Sequence, residues 1–561
     1  MPKKTLLTHT TCEQNGSSSQ LVILLHAYMS TSRSLGDVRS TVKESLPNAD
    51  LLLPDYPAGL FANTSPRRVA NQLVQYIEDA VIRRAARPDG RQYDRILLIG
   101  HSAGALLLRK AYVIAMGYDS DTVEVGKTKP RAWATKVDRL ILMAGINRGI
   151  SLDTQPEEMS WVKFQLLRLG FAILALTNTG KFIRSLLRGS PFITNLRIEW
   201  IRLSQGSTVE LPQTIQLLGE LDDVVNAEDN IDVATDYNFK YLRVRDTGHA
   251  SIVRFQEPEI GAYRQERFQY ALVTSFDAIE GDVIPNANVD LSKDQIVFIM
   301  HGIRDTGLWT NAVRQAIEAQ KKTAYVSVAG YGYFPMLRFL LLGARQTNVR
   351  WFMDEYTEAI ARYPKAALSY IGHSNGTYLI ASALERYRAC TMDRIAFAGS
   401  VVRSDYDWDQ LVRQGRVQTI RNDVASADWI VGIFPGFFEL LRFSDLGTAG
   451  HNGFADHEGK KNTVAYFKGG HGAALQPQNH DSLARFALTG EIVREDKLLV
   501  KQQSTIVALV AKLCWAVWAA IAIALLVLGF VMVSLLALLS VPVGVSWLLY
   551  AGLVLLLLYT L

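Results

Sequence analysis

The pentapeptide Gly-His-Ser-x-Gly occurs twice in this chain, as GHSAG around Ser102 and as GHSNG around Ser374. Each copy follows an apolar run, RILLIG or LSYIG, and precedes a run with helical spacing. A serine on a sharp strand-to-helix turn needs small neighbours, because the two backbones pass close to each other there. Two glycines supply them in each copy: Gly100, Gly104, Gly372 and Gly376. The motif therefore predicts two strand–turn–helix units of one type.

A second signal repeats at nearly the same distance from the pentapeptide. LVILLHAY ends a strand-like run with His26, and QIVFIMHG ends a similar run with His301. His26 precedes Ser102 by 76 positions, and His301 precedes Ser374 by 73. Two unrelated signals with matching spacing indicate a duplicated or fused domain.

Continuous apolar runs alternate with helical patterns in both halves. In the first half ADLLLPDYP precedes a helical pattern with apolar residues every four positions, and in the second half TAYVSVAGYGYF precedes RWFMDEYTEAIARY. Uninterrupted apolar strands are typical of a parallel sheet covered by helices on both faces. We therefore expect an α/β fold with two tandem domains, at residues 18–280 and 290–490.

The serines suggest a chemistry that needs partners elsewhere in the chain. A serine hydroxyl is a weak nucleophile near neutral pH and needs a base that an acid orients. After this type of turn the partners follow in the order Ser, Asp, His, at the ends of later strands. TIQLLGEL precedes Asp222 and YLRVRDTG precedes His249, so the first predicted triad is Ser102, Asp222 and His249.

The second copy offers His471 directly after VAYFKGG, beside glycines. Asp428 is the preferred acid, because it lies several residues past a strand end and precedes Trp-Ile-Val. The second predicted triad is therefore Ser374, Asp428 and His471. Three other carboxylates and a weaker histidine stay open: Asp405, Asp407, Asp423 and His480.

A tetrahedral intermediate also needs backbone N–H donors for its negative charge. One donor should be the residue after each serine, which is Ala103 or Asn375. The other should come from the early loop, where Tyr28 and Ile303 are the expected residues.

The two copies differ by an insertion. Ser102 and Asp222 are 120 positions apart, whereas Ser374 and Asp428 are 54 apart. Most of the excess lies at about residues 150–206, in an apolar, helix-like segment with a basic polar side. We expect a helical cap over an apolar site. The alternatives are a segment on a membrane surface and an extra packing layer without substrate contact.

These motifs resemble the α/β-hydrolase superfamily over both predicted domains. The resemblance is carried by HAY or HGIRD, then GHSAG or GHSNG, then the late Asp and Gly-His. The first copy looks like lipases and esterases with a helical cap, although it has His-Ala where His-Gly is usual. A looser similarity to membrane-associated lipid deacylases rests on the cap and the C-terminal segment alone. The superfamily resemblance implies hydrolysis of carboxylic esters, thioesters or amides, without a metal or an organic cofactor.

The excess apolar residues of the chain lie at its C-terminus. From residue 504 to 561 the only charged residue is Lys512. A helix needs about 20 residues to cross a bilayer core. We expect a transmembrane hairpin over 504–561, with spans at Leu513–Leu539 and Val545–Leu561 and a turn at Ser540–Gly544.

Charge and cysteines bear on location and partners. Basic residues precede the first span, which predicts that both domains face the cytoplasm: Arg494, Lys497, Lys501 and Lys512. The three cysteines are scattered, which fits a reducing compartment: Cys12, Cys390 and Cys514. His451 and His457 of HNGFADH are read as a polar loop rather than a metal site. The balance of 59 basic against 54 acidic residues argues against nucleic acid as a partner.

We therefore expect a membrane-anchored serine hydrolase acting on lipid-like or acyl esters, with the bilayer as a partner. Apolar segments beginning at Phe334 and Trp429 could line an acyl groove or touch the bilayer. One alternative is a membrane-tethered binding or scaffold module in which one or both domains have lost catalysis. The other is an esterase, thioesterase or peptidase of soluble substrates.

Overall fold

The computed structural model describes residues 6–13, 18–122, 128–225, 231, 238–281, 289–302, 308–328, 342–441, 445–454 and 462–560. The chain forms two compact units. The first comprises Met1–Val289, Tyr356–Arg362 and Tyr387–Ala389, and the second comprises Asp290–Glu355, Tyr363–Arg386 and Cys390–Leu561.

The first unit contains a seven-stranded sheet in the order β1-β3-β2-β4-β5-β6-β7. Its strands are β1 (Thr8–Glu13), β2 (Gln20–Leu25), β3 (Asp50–Asp55), β4 (Arg95–His101), β5 (Val137–Met143), β6 (Gln213–Gly219) and β7 (Phe239–Val244). Neighbouring strands are parallel except β1, which is antiparallel to β3. Parallel sheets need cover on both faces, which explains the uninterrupted apolar strands.

Helices cover both faces of this sheet. They are α1 (Gly36–Ser45), α2 (Pro66–Ala85), α3 (Ala103–Ala115), α4 (Trp161–Leu176), α5 (Lys181–Arg184), α6 (Pro191–Gly206) and α7 (Gly261–Val273). Because strand side chains alternate between faces, Ile23 of β2 joins the apolar cluster of α2 and α3, whereas Leu24 joins that of α1 and α7.

The second unit also contains a seven-stranded sheet, in the order β14-β13-β12-β11-β10-β8-β9. Its strands are β8 (Gln295–Met300), β9 (Ala324–Val328), β10 (Ala367–His373), β11 (Met392–Ala398), β12 (Val417–Ala425), β13 (Asn462–Phe467) and β14 (Leu499–Val500). Only β14 is antiparallel to its neighbour among these strands. The described helices after residue 290 are α8 (Leu308–Gln320), α9 (Leu342–Arg362), α10 (Asn375–Arg386), α11 (Trp408–Arg413), α12 (Trp429–Leu441), α13 (Ala449–Asn452), α14 (Pro477–Thr489), α15 (Thr505–Lys512), α16 (Cys514–Leu538) and α17 (Val543–Thr560).

The two sheets share one topology. The order β3-β2-β4-β5-β6-β7 of the first recurs as β9-β8-β10-β11-β12-β13 in the second. The prediction of mostly parallel sheets with helices is confirmed for both halves. A common origin of the two halves, and the predicted domain boundaries, stay predictions.

The inserted segment of the first unit contains α4, α5 and α6. Helix α6 is almost entirely buried, whereas α4 buries only Phe164, Phe171 and Leu174. Large apolar side chains on the other side of α4 are exposed, and Leu176 at its end keeps 87% of its surface accessible. This segment is therefore helical, as predicted, and one of its helices is apolar on both sides.

Among the described residues, α16 is the one helix long and apolar enough to cross a membrane. Its 25 residues span about 37 Å at 1.5 Å per residue. The apolar stretch of α17, Val543–Leu557, is shorter. One spanning helix is thus found where two were expected, and the hairpin stays a prediction.

We predict that Gly104→Ala destabilises the first unit. A Cβ at Gly104 would lie well inside contact distance of the backbone oxygens of Leu25 and His26, and backbone cannot move aside as a flexible side chain does. Overpacking of this kind costs about 1–3 kcal/mol. Amide hydrogen exchange of β2 and β4 should accelerate accordingly.

The matched control is Gly36→Ala, because a Cβ at Gly36 has nothing within 4 Å. It should change the free energy of unfolding by no more than about 0.5 kcal/mol. Equal exchange rates in the two variants would contradict close packing at Gly104.

Candidate active site

The turn between β4 and α3 holds Ser102 in a backbone conformation that residues with a side chain rarely adopt. Its φ and ψ are 53° and −117°, and φ of Ser374 is also 53°. Such strain persists only where the surroundings enforce it. The Ser102 N–H donates to the Met143 carbonyl at 2.9 Å, which ties the turn to β5. The turn therefore presents the Ser102 hydroxyl beyond the carboxyl edge of the sheet.

The structure brings Ser102, His249 and Asp222 together. His249 Nε2 lies 2.7 Å from Ser102 Oγ, and His249 Nδ1 lies 2.9 Å from Asp222 Oδ2 and 3.1 Å from Oδ1. Asp222 follows β6, and His249 follows β7, the next strand of the sheet. The three side chains form a continuous hydrogen-bonded chain from carboxylate to imidazole to hydroxyl.

Asp222 keeps its negative charge although it is only 7% exposed. Burial opposes ionisation, but hydrogen bonds from His249 and from the N–H groups of Val224 and Val225 hold the pKa of Asp222 below its usual value. The carboxylate accepts the Nδ1 proton of His249, so Nε2 of a neutral ring carries a lone pair. Ser102 can then donate its proton to Nε2.

His101 contributes a contact that the sequence analysis missed. Its Nε2 lies 2.9 Å from the His249 carbonyl oxygen. Burial, with a smaller contribution from His249, lowers the pKa of His101 to about 4, so the ring is neutral near pH 7. A neutral ring has one proton, which Nε2 donates to this carbonyl. His101 therefore fixes the backbone of the residue that contacts Ser102.

The predicted N–H donors lie around Ser102. Ala103 is the first residue of α3, and the first N–H groups of a helix have no partner within it. Tyr28 lines the same cavity as Ser102. Its hydroxyl donates to the Leu60 carbonyl at 3.0 Å, and its ring stacks on Phe182 of α5. The early loop is thereby held against the inserted segment.

A cavity of about 710 Å³ opens over Ser102 and His249. This volume lies within the range usual for small-molecule sites. Its walls are mostly apolar, and the inserted segment supplies a large part of them: Met159, Leu166, Leu167, Phe171, Leu174, Ile183 and Leu186. Helix α4 therefore separates this cavity on one side from an exposed surface on the other.

The second unit has an incomplete counterpart of the first site. His471 Nδ1 lies 2.8 Å from Asp428 Oδ2, and the Val431 N–H donates to Asp428 Oδ1 at 3.0 Å. Within the described part of the chain, the side-chain hydrogen bond of His471 is this one to Asp428, and none joins its Nε2 to Ser374 Oγ. The structure thus brings the predicted acid and base into contact but leaves the predicted nucleophile unpaired with the base.

Of the two N–H donors predicted for the second unit, Asn375 lies among the described residues and Ile303 does not. Asn375 is the buried first residue of α10. Gly302 lies so close that a Cβ there would be 2.7 Å from Ser374 Cβ. Ile303 lies outside the described residues. Residues 334–341 of the segment beginning at Phe334 lie outside them as well, and so does His457.

The open alternatives for the second unit are engaged elsewhere. Asp405 pairs with Arg403, and Asp407 accepts the N–H of Gln410 at the start of α11. Asp423 pairs with Arg421 and Arg494. His480 Nε2 is bonded to the Leu475 carbonyl. Asp428 is therefore the carboxylate that His471 contacts.

No group of three or more histidine, cysteine or acidic side chains within the described ranges could hold a metal ion. The expectation that the chain uses no metal and no organic cofactor is not tested by this finding and stays a prediction.

This chain has little similarity to known proteins in sequence or in structure. No known family profile and no curated protein matches the chain. A monoacylglycerol lipase from Paleococcus ferrophilus is 12% identical, with a TM-score of 0.30 over 48% of this chain and 99% of that one. Est1E from Butyrivibrio proteoclasticus is 14% identical, with a TM-score of 0.27 over 47% and 91%. Phospholipase PlaB from Legionella pneumophila is 19% identical, with a TM-score of 0.23 over 36% and 38%. These values are too low to assign a family.

We predict that Asp222→Asn makes the melting temperature less dependent on pH in the acidic range. Because the folded pKa of Asp222 lies below its unfolded value of about 3.9, the stabilisation is present above that pH and is lost as pH falls through the folded pKa. Between about pH 5 and 3 the melting temperature of the unmodified chain should therefore fall more steeply than that of the variant.

Glu44→Gln, at an exposed position on α1, is the control and should follow the unmodified chain. Parallel curves for Asp222→Asn and the unmodified chain would show that the His249 and backbone contacts do not favour the charged carboxylate.

Proposed function

We propose that this chain is a membrane-anchored serine hydrolase that cleaves carboxylic esters of lipid-like or acyl substrates. The first unit supplies the active site, in which Ser102 is the nucleophile, His249 the base and Asp222 the acid that orients it. The single observation that supports this most directly is the 2.7 Å separation of Ser102 Oγ and His249 Nε2, with Asp222 on the far side of the ring.

The proposed reaction follows from these positions. His249 Nε2 takes the proton of Ser102 as Oγ bonds to the ester carbonyl carbon, and the carbonyl oxygen becomes negative. The N–H groups of Ala103 and Tyr28 are the proposed donors to that oxygen. The C–O bond to the alcohol breaks as His249 returns the proton to the leaving oxygen. Water then gives a proton to His249 Nε2 as its oxygen bonds to the acyl carbon. The bond from that carbon to Ser102 Oγ breaks as His249 returns the proton to Oγ, which releases the acid.

The cavity walls favour an apolar acyl group over a polar one. Side chains such as Leu167, Phe171 and Leu174 offer no partner to a polar group, and burying an unpaired polar group is costly. An acyl chain gains about 0.8 kcal/mol per buried CH₂. We therefore propose medium- or long-chain esters as the substrate class.

The exposed side of α4 is proposed to contact the bilayer. Leu169 and Ile173 keep 57% and 51% of their surface exposed, and Trp161 and Leu176 are exposed beside them. No acidic residue lies between Glu158 and Glu199, whereas this stretch has six basic ones. An apolar helix face with basic residues is typical of an interfacial segment. A lipid could then pass between the bilayer and the cavity that the opposite side of α4 lines.

The membrane anchor is proposed to be the C-terminal hairpin, with α16 as its first span and α17 as its second. The basic residues before α16 favour hydrolase units on the cytoplasmic side. Both helices expose large apolar side chains over most of their length, which favours lipid contact.

A binding role for the second unit is favoured by one observation. His471 and Asp428 are paired, but Ser374 is not hydrogen-bonded to His471 in the described chain. A serine without a base at hand is a poor nucleophile. We propose that catalysis is confined to the first unit and that the second serves as a binding or scaffold module.

We predict that a double substitution on α4 lowers hydrolysis of esters in vesicles but not hydrolysis of water-soluble esters. Leu169→Glu with Ile173→Glu should lower hydrolysis of a long-chain ester in vesicles at least ~10-fold, because burying each side chain is worth about 1.5–3 kcal/mol. Hydrolysis of a short, water-soluble ester should stay unchanged, and Ser102→Ala should lower both on the order of 10³-fold or more. Initial rates on the two substrates measure this.

Ile82→Glu is the matched control, because Ile82 is 58% exposed on α2, another helix of the same unit. It should leave both rates unchanged. Full activity of Ser102→Ala would reject the proposed nucleophile. Equal loss on both substrates would reject the α4 docking surface, and undiminished vesicle turnover in the α4 variant would favour soluble esters as substrates.

A further inference from the structure

A second cavity, of about 400 Å³, lies within the second unit. Helices α12 and α13 form one side of it, and α15 with the first residue of α16 forms the other. Small residues keep it open, since a Cβ at Gly432 would approach the Ala511 Cβ to 3.0 Å. The cavity therefore lies beside the first residue of α16, the described helix that is long enough to cross a membrane.

Two polar atoms at this cavity have no partner within the described chain. His451 is 1% exposed, and its Nδ1 makes no hydrogen bond. Gln503 Oε1 is likewise buried without a donor. Buried polar groups are nearly always hydrogen-bonded, so unpaired ones call for a ligand or for water. Burial lowers the pKa of His451 although the charge of Asp428 opposes this, so the ring is neutral and can donate or accept through Nδ1.

The cavity also has one basic and one acidic side chain. Lys512 ends α15, two positions before α16 begins, and is the only charged residue from 504 to 561. Glu439 on α12 accepts from Ser404 and Thr448, which leaves carboxylate lone pairs for another donor. A ligand suited to both would have an anionic group and a hydrogen-bond donor with positive charge.

We propose that this cavity binds the head group of a phospholipid that carries a primary ammonium. The phosphate would lie on Lys512, and the ammonium would donate to Glu439 and to Gln503 Oε1. The proposal rests on α16 spanning the bilayer, because Lys512 then lies at the depth of the lipid phosphates. It is independent of the serine chemistry in the first unit.

Phosphatidylethanolamine and phosphatidylcholine distinguish the contribution of the phosphate to binding from that of the N–H donors of the ammonium. Both have the same phosphate and no net charge, but the trimethylammonium of phosphatidylcholine has no N–H. The full chain, purified in detergent, is titrated with each lipid, and bound lipid is counted by native mass spectrometry. We expect at least tenfold more retained phosphatidylethanolamine, and a rise in melting temperature with that lipid alone.

Glu439→Gln should reduce this preference, because it removes the negative charge that the ammonium contacts. Lys512→Ala should lower the retention of both lipids, because both carry the phosphate, and Lys501→Ala, at an exposed residue outside the cavity, should change neither. Equal retention of the two lipids, an unchanged preference in Glu439→Gln, or undiminished retention of both lipids in Lys512→Ala would overturn the proposal. Equal protection by water-soluble glycerophosphoethanolamine would also overturn it, since the ligand would then not be a membrane lipid. The circular dichroism spectrum and the lipid-free melting temperature of each variant are the folding check. Turnover of a short ester, and its loss in Ser102→Ala, test the proposed function separately.

Discussion

The left-handed backbone at Ser102 is the constraint on which the site depends. It requires the close approach of Gly104 to β2, and the Ser102 N–H bond to β5 holds it. Because parallel strands end at the same edge, Asp222 and His249 meet the serine there. The strain is thus held by the same buried strands that align the hydrogen-bonded chain, so the fold and the geometry of the candidate site depend on the same contacts.

Helix α4 gives the candidate site its apolar setting. One side lines the cavity above Ser102, and the other exposes leucine and isoleucine to solvent. A helix that is apolar on both sides is stable only if something covers each of them. In the proposed account the site covers one side and the bilayer the other, so the segment that distinguishes the first unit from the second also defines its substrate.

The sequence predicted the parts of the fold and of the candidate site that lie where a strand ends or a helix begins. Ser102, Asp222 and His249 could be located because each follows an apolar run. The His101 contact could not be predicted, since it joins a side chain to a backbone carbonyl 148 positions away. The absence of a hydrogen bond between Ser374 and His471 could not be predicted either. It depends on where the two side chains lie, and the matching spacing of the repeated motifs carries no information about that. The acid of the second unit could be predicted in part from the sequence. Arg421 and Asp423 are two positions apart on β12, so they share one face of the strand and pair there, which excludes Asp423.

Labelling with a fluorophosphonate probe tests the central claim most directly, because the probe reports whether a serine is activated by its base. Peptide mapping of the labelled full chain should place the adduct on Ser102 at a rate at least ~10²-fold above that of Ser374, since of these two serines Ser102 is the one hydrogen-bonded to an imidazole in the described structure. His249→Gln should abolish the reaction. Labelling of Ser374 at the same rate, or persistent labelling of Ser102 in His249→Gln, would contradict the account.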